Sequence, residues 1–316
     1  METQSKINLI YIASIGHSGS TLLESMLGAH SQMATCGEIH IWPHEIAKGG
    51  VMPCACGKPI PECLFWNEMR RRVDPLQQAK PQIHFFREQH NAGHTLRVER
   101  LGDFSQRESP PPINEQIKIY GQNNYEVFKS FLNLMQEETG GQLKWVIDAS
   151  KDPYRLLWLA RSNLFNIKVL HVVKHPSSFA YSMVKRLPKS SGNQHFKRLY
   201  ETARQSLKWS IENYFISQVA RNHLAPSDYF LVNYEELASK PAETFEKICE
   251  VIGCNFEAQT VSQFWEGSLH TIAGNPMRYK REKIVLDEKW KTSLPNSSRR
   301  VAEILTSLNR ADYGYR

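Results

Sequence analysis

Long apolar runs are missing from this chain. Although 41% of its 316 residues are hydrophobic, no stretch approaches the ~20 consecutive apolar residues of a membrane-crossing helix. The opening METQSKINLIYIASIGHSGS lacks the basic, apolar and small-residue succession of a secretory signal, so a cytoplasmic protein with no membrane partner is expected. Blocks of one charge sign are absent as well. The formal charge is +7, but Lys and Arg are scattered along the chain, which argues against nucleic acid and for a small, multiply charged anion. No repeat, heptad array or low-complexity tract interrupts the pattern, and a single domain over residues 1–316 is the economical expectation. Paired CxxC spacing is also lacking. Cys54, Cys56 and Cys63 form CxC-x6-C, an incomplete zinc signature for which Cys36, His40 or His44 would have to supply a fourth ligand. The residues read instead as a tight Gly/Pro loop with partly buried thiols, with no metal expected and no permanent disulfide in a reducing compartment. His84, His90 and His94 likewise have no cysteine or carboxylate partners in register.

What is present begins at Leu9. LIYIASIGHSGSTLL reads as a buried strand, a glycine-containing turn and the start of a helix. Backbone N–H groups from Gly16 to Thr21 would face one concavity at a helix end carrying about half a positive charge, a place for phosphate or sulfate. Gly19 admits close backbone approach, and the Ser18, Ser20 and Thr21 hydroxyls can bind ligand oxygens or cap the helix. A plain Ser-capped turn would look similar. A Walker loop it is not, because Ser20 stands where GxxxxGK[ST] requires lysine, so Mg-ATP is not the expected ligand.

Short apolar strands at 7–14, 144–148, 167–173 and 228–232 alternate with helical segments at 20–28, 114–138, 153–163, 176–187, 195–222, 241–252 and 297–308. That alternation predicts an α/β protein of three layers, a central parallel sheet flanked by helices. Residues 74–113 break it, with little periodicity and a proline-rich turn, and a cap or insertion is expected over about 65–140. Phe85, Phe86 and Trp42 could line an acceptor pocket or fasten that insertion to the core. His30 reads as a residue closing the first helix.

A second strand–turn–helix unit lies in IKVLHVVKHPSSFAYSMVKR, 167–186. Lys174 at the strand end and Ser182 eight residues on can converge on one phosphate at the carboxyl edge of a parallel sheet. Alone, the pair would equally suit a solvent-facing lysine and a helix-surface serine.

Together, SIGHSGSTLL, VVKHPSSFAYS and the later YEEL resemble the sulfotransferases that use 3′-phosphoadenosine 5′-phosphosulfate (PAPS) and release 3′-phosphoadenosine 5′-phosphate (PAP). ESMLGAHSQMATCGEIHIWP, DASKDP and HTIAGNPMRYKR with DEKW are similar to further segments of tyrosylprotein sulfotransferases and related bacterial enzymes. The resemblance covers most of the chain outside about 65–140. It implies a P-loop-like fold and a loop, Gly16–Thr21, that binds the 5′-phosphosulfate. It further implies Lys174, Ser182 and Arg278 on the 3′-phosphate, Tyr234 against the adenine, and Lys280 and Arg281 in a nucleotide-closing segment. Glu38 falls near the family's catalytic glutamate and Lys151 at a lysine reaching the transferring group. Two departures stand out: the loop's usual Arg or Lys is His17, and the usual Arg of the second site is Lys174, which keeps charge but loses a bidentate fork.

In-line sulfuryl transfer, like phosphoryl transfer, depends on positioning and electrostatics and requires no metal. The expected reaction carries the sulfuryl group from PAPS to a hydroxyl or amine of a small-molecule acceptor. His17 and Lys151 would stabilise charge, and Glu38 would act as base with His40 as the alternative. A P-loop kinase with Asp148 as its metal carboxylate and a non-catalytic adenosine-phosphate binder are the competing readings. The acceptor itself is not written in any motif.

Overall fold

The computed structural model describes residues 5–42, 52–73, 111–187, 194–266, 270–275 and 283–315. Its centre is a five-stranded sheet: β1 (Ile7–Ser14), β2 (Met33–Thr35), β3 (Trp145–Lys151), β4 (Phe165–Val173) and β5 (Tyr229–Asn233). The strands lie in the order β2-β3-β1-β4-β5 and every pairing is parallel. Both faces of such a sheet must be covered, and the side-chain period of two shows how. In β1, Leu9, Tyr11 and Ala13 enter one core while Ile10 and Ile12 enter the other.

The described helices are α1 (Ser20–Gly28), α2 (Leu64–Val73), α3 (Pro111–Thr139), α4 (Pro153–Ser162), α5 (Pro176–Val184), α6 (Gln194–His223), α7 (Tyr234–Ser239), α8 (Pro241–Ile252), α9 (Gln259–Ser262), α10 (Trp290–Ser293) and α11 (Asn296–Leu305). Leu22, Leu23, Met26 and Leu27 of α1 join Phe245 and Ile248 of α8 on one face. Phe128 and Phe131 of α3, Leu156 and Leu159 of α4 and Ile216 of α6 cover the other. Proline at N1 starts α4 and α5, where its missing N–H costs nothing, and the Asp152 carboxylate caps α4 by accepting from Tyr154 N–H at 2.9 Å.

The three-layer α/β expectation is met, and α1 and α8 fall at the expected residues. Five elements were not expected: β2, too short to show periodicity, α2, hidden by the surrounding prolines, α7, a six-residue helix after β5, and the four-residue helices α9 and α10. The helix expected over 176–187 ends at Val184, and that expected over 297–308 runs from Asn296 to Leu305. Of the stretch expected as a cap, 74–110 lies outside the described residues. Its flanks α2 and α3 bury Phe65, Trp66, Met69, Phe128 and Phe131 in the core that also holds Leu9 and Val146. Among the described residues no helix is long and apolar enough to cross a membrane.

Parallel pairing brings all five strand ends to one edge. Ser14 is in register with Val172, Ala13 with Lys151, and Val173 with Asn233. Whatever follows each strand is therefore delivered to a common rim, at the switch point where chain order reverses on either side of β1.

Candidate active site

The turn after β1 supplies the floor of the rim. Gly19 is the N-cap of α1 at φ 93°, and no side chain caps the helix, so the first-turn N–H groups at Ser20 and Thr21 are left for a ligand. A Cβ at Gly19 would run into the ring of Tyr234, the first residue after β5, with Cε2 at 2.9 Å and Cγ at 3.2 Å. Glycine is thus required twice, by backbone conformation and by space. Ser18 and Ser20 are buried, and the Thr21 hydroxyl accepts from Asn275 N–H at 3.2 Å.

Tyr234 also meets the second expected anion group. Lys174, buried at the end of β4, holds its ammonium 4.5 Å from the Tyr234 ring centroid. Burial lowers its pKa, opposed by the charge of Glu235, but no carboxylate lies within ion-pair distance among the described residues. Glu235 is held elsewhere, accepting from His175 N–H at 3.0 Å and from the Tyr315 hydroxyl at 2.7 Å. A buried cation on an aromatic face, short of a counter-ion, is what an anionic ligand would complete. Ser182 lies on α5 as expected, but its hydroxyl donates to Phe179 O at 2.7 Å and must turn away from its own helix to serve a ligand oxygen. The DEKW segment does approach this corner: Asp287 lies 3.8 Å from Lys185, and Trp290 stacks on His175 at 4.5 Å. Arg278, Lys280 and Arg281 lie outside the described residues, as does His44.

Glu38 lies past β2 and Lys151 ends β3, and the two form an ion pair, Nζ to Oε1 at 2.5 Å, with both side chains largely covered. Gly37 at φ 73° makes this approach, since any Cβ there would enter the backbone of Ile272; Glu38 N–H in turn donates to Ile272 O at 2.9 Å. Lys151 itself has φ 69°, a left-handed conformation that a non-glycine residue adopts at a cost. His40 sits behind Glu38, its N–H donating to Ser150 Oγ at 3.4 Å, and burial lowers its pKa.

His17 departs from its expected role. Its Nε2 accepts from the Arg186 guanidinium at 2.7 Å, an arrangement open only to the neutral ring. Burial, and then the charges of Arg186 and Lys151, lower its pKa to about 4. In this arrangement His17 is neutral at pH 7, and Arg186, just past α5, brings a cation against the position where the resemblance implied an Arg or Lys. Only the fold reveals this substitution, because Arg186 is 169 residues from His17. The charges of Glu38, Lys151, Lys174 and Arg186 all act on the His17 imidazole, so these groups share the same rim.

Asp148 is inside β3 rather than at the opening of a turn. Its carboxylate accepts from Arg155 Nε at 2.7 Å and Ser150 N–H at 2.9 Å, all fully buried, while Arg155 also donates to the Tyr120 hydroxyl at 2.7 Å. A carboxylate engaged in this way is a structural group and is not available to a metal–nucleotide complex.

Comparison with known proteins decides the lineage. Residues 66–258, more than half of the chain, match the profile of the sulfotransferase family. The chain belongs to that family. It is an enzyme of the sulfotransferase class. Among solved structures, the sulfotransferase domain of the Synechococcus PCC 7002 olefin synthase is similar at a TM-score of 0.52 and 18% identity, with 96% of each chain covered. The sulfotransferase domain of the curacin biosynthetic pathway gives 0.52 and 19% over 99% of each chain. Sulfotransferase STF9 from Mycobacterium avium gives 0.52 and 13% over 99% of this chain and 78% of its own. At these identities the likeness is one of fold. A sequence comparison with curated proteins gave no match.

Proposed function

We propose that this sulfotransferase uses PAPS as donor and transfers the sulfuryl group to a hydroxyl or amine of a small-molecule acceptor in a cytoplasmic setting, as a single domain with acceptor contacts drawn from about 65–140. The observation that carries the reading is the shared rim. The uncapped start of α1, the Glu38–Lys151 pair and the Lys174–Tyr234 pair follow different strands yet gather around His17. Two features fit the donor in particular: the close approach of Gly19 to the Tyr234 ring, which leaves no room for a Cβ, and the buried Lys174 without an ion-pair partner among the described residues.

When bound, the donor supplies an activated sulfuryl group on a 5′-phosphate. The N–H groups of Gly16–Thr21 and the hydroxyls of Ser18 and Ser20 hold its oxygens, with Arg186 as the loop's cation. Lys174, with Ser182 and Arg278, takes the 3′-phosphate, and Tyr234 flanks the base. Lys151 turns its ammonium from Glu38 toward charge developing on the sulfuryl oxygens and the leaving phosphate. Glu38 receives the acceptor's proton as its oxygen or nitrogen attacks sulfur. His40, neutral at pH 7, is the second candidate for that proton.

The test is calorimetric titration with PAP beside ATP and Mg²⁺. PAP is expected to bind more tightly, and Lys174→Ala to weaken it by about 10–100-fold, the worth of a charge-assisted hydrogen bond. A preference for Mg-ATP overturns the donor assignment. PAP binding without transfer from labelled PAPS to any hydroxyl or amine acceptor favours a binding protein instead.

A further inference from the structure

Sulfuryl transfer leaves the cysteine loop unexplained. Cys54 and Cys63 are buried and Cys56 exposed, and all are thiols. The fold brings His270 to them. One ligating atom from each of Cys54, Cys56, Cys63 and His270 lies within 4.8 Å of all the others. Neither Cys36, whose thiol donates to Ile147 O at 3.0 Å, nor His40 belongs to this group, so the fourth member is one that spacing could not suggest. It lies 207 residues beyond Cys63.

The separations are informative. Cys63 Sγ is 3.4 Å and Cys54 Sγ 3.6 Å from His270 Nδ1, and Cys56 Sγ is 3.7 Å from Cys63 Sγ. A tetrahedral zinc with bonds of about 2.3 Å to sulfur and about 2.0–2.1 Å to nitrogen has edges of about 3.8 Å between sulfurs and about 3.5 Å from sulfur to nitrogen. The three distances match those edges. His270 is also oriented as a ligand. Its Nε2 faces Glu138 Oε1 at 2.9 Å, which fixes the proton there and turns the Nδ1 lone pair toward the sulfurs, and its ring stacks on Phe65 at 4.4 Å.

We propose that Cys54, Cys56, Cys63 and His270 bind one Zn²⁺ ion in a closed site. Four protein ligands leave no open position, so the role is structural. The metal clamps the loop before α2 to residues 270–275. That segment supports the active site directly: Ile272 N–H donates to Cys36 O at 3.2 Å, Ile272 O accepts from Glu38 N–H at 2.9 Å, and Asn275 N–H donates to Thr21 Oγ1 at 3.2 Å. Zinc would thus brace the backbone of Glu38 and of the anion loop from outside. The second sulfur-rich group, His30 with Cys249 and Cys254, offers three ligands only and serves as the control.

The experiment is elemental analysis of the full chain, purified with its affinity tag removed and without chelator. About one zinc per chain is expected. Cys56→Ser, at an exposed position, and His270→Ala should each lower that content severely, while Cys254→Ser keeps it. Glu138→Gln should weaken zinc affinity by about 10–100-fold in a competition titration. Should the variants unfold, wild-type apoprotein reconstituted with Co²⁺ decides: thiolate-to-cobalt charge transfer with the visible bands of a tetrahedral ion is expected. Wild type without metal and without that spectrum, zinc retained in Cys56→Ser or His270→Ala, or a Cys56–Cys63 disulfide in protein isolated from a reducing cytoplasm would each overturn the assignment.

Discussion

Replacing Gly19 by alanine tests the centre of the site with one methyl group. Alanine at φ 93° carries the left-handed penalty of about 1–2 kcal/mol. Its Cβ would also overlap the Tyr234 ring, and the ring cannot yield without leaving Lys174, whose ammonium lies 4.5 Å from its centroid. Losing that contact removes about 0.5–2 kcal/mol. Together these give about 1.5–4 kcal/mol, which in the binding equilibrium is about 10–700-fold weaker PAP, less whatever part appears as lowered stability. Urea denaturation and PAP titration, measured on the same preparations, separate the two shares. Gly253→Ala is the matched control for the backbone penalty, at φ 82° past the end of α8 with nothing within 4 Å of a Cβ built there. Adding Tyr234→Ala to Gly19→Ala should restore part of the stability, though not the binding. Gly19→Ala with an unshifted denaturation midpoint and a PAP affinity within about twofold of wild type would refute the geometry.

Further outcomes follow from the same structure. Lys151→Ala should lower turnover about a hundredfold or more with PAP binding nearly kept, and single-turnover transfer measures it; a tenfold or smaller loss removes Lys151 from the reaction. Glu38→Gln and His40→Ala, assayed separately, identify the base by which one abolishes transfer while PAP still binds. Asp148→Ala leaves the Arg155 guanidinium buried without its carboxylate, and chemical denaturation should register about 3–5 kcal/mol of lost stability. His171 is fully buried, Nε2–H donating to Asn213 Oδ1 and Nδ1 accepting from the Tyr229 hydroxyl, and burial lowers its pKa to about 4. A folded pKa below the unfolded value of about 6.5 means that only the unfolded chain takes up the proton between them. Its effect is nil above pH 6.5, and stability should fall between about 6.5 and 4, with a shallower slope in His171→Gln measured by denaturation across that range.

Much of the fold was legible because parallel strands buried on both faces must be short and apolar, and because Asp152, Pro153 and Pro176 mark helix starts. Two of the elements that escaped, β2 and α2, owe their existence to partners. Three residues of β2 hold only because β3 lies beside them, and α2 is fixed by packing Phe65 and Trp66 against Phe131 of α3.

Local sequence determined an anion loop around Gly19, a cation at Lys174 and three thiols at CxC-x6-C, while the family resemblance singled out Glu38 and Lys151. Such signals survive in a linear reading because helix starts, turns and strand ends are set by neighbours in the chain. Tertiary structure alone decided which groups meet. It made His17 a neutral acceptor by placing Arg186 against it, tied Asp148 to Arg155, set Tyr234 between Gly19 and Lys174, and carried His270 across the molecule to the cysteines. Each outcome depends on through-space distances of a few ångströms between residues far apart in sequence, and the charge, pKa and ligating capacity of a side chain are functions of those distances.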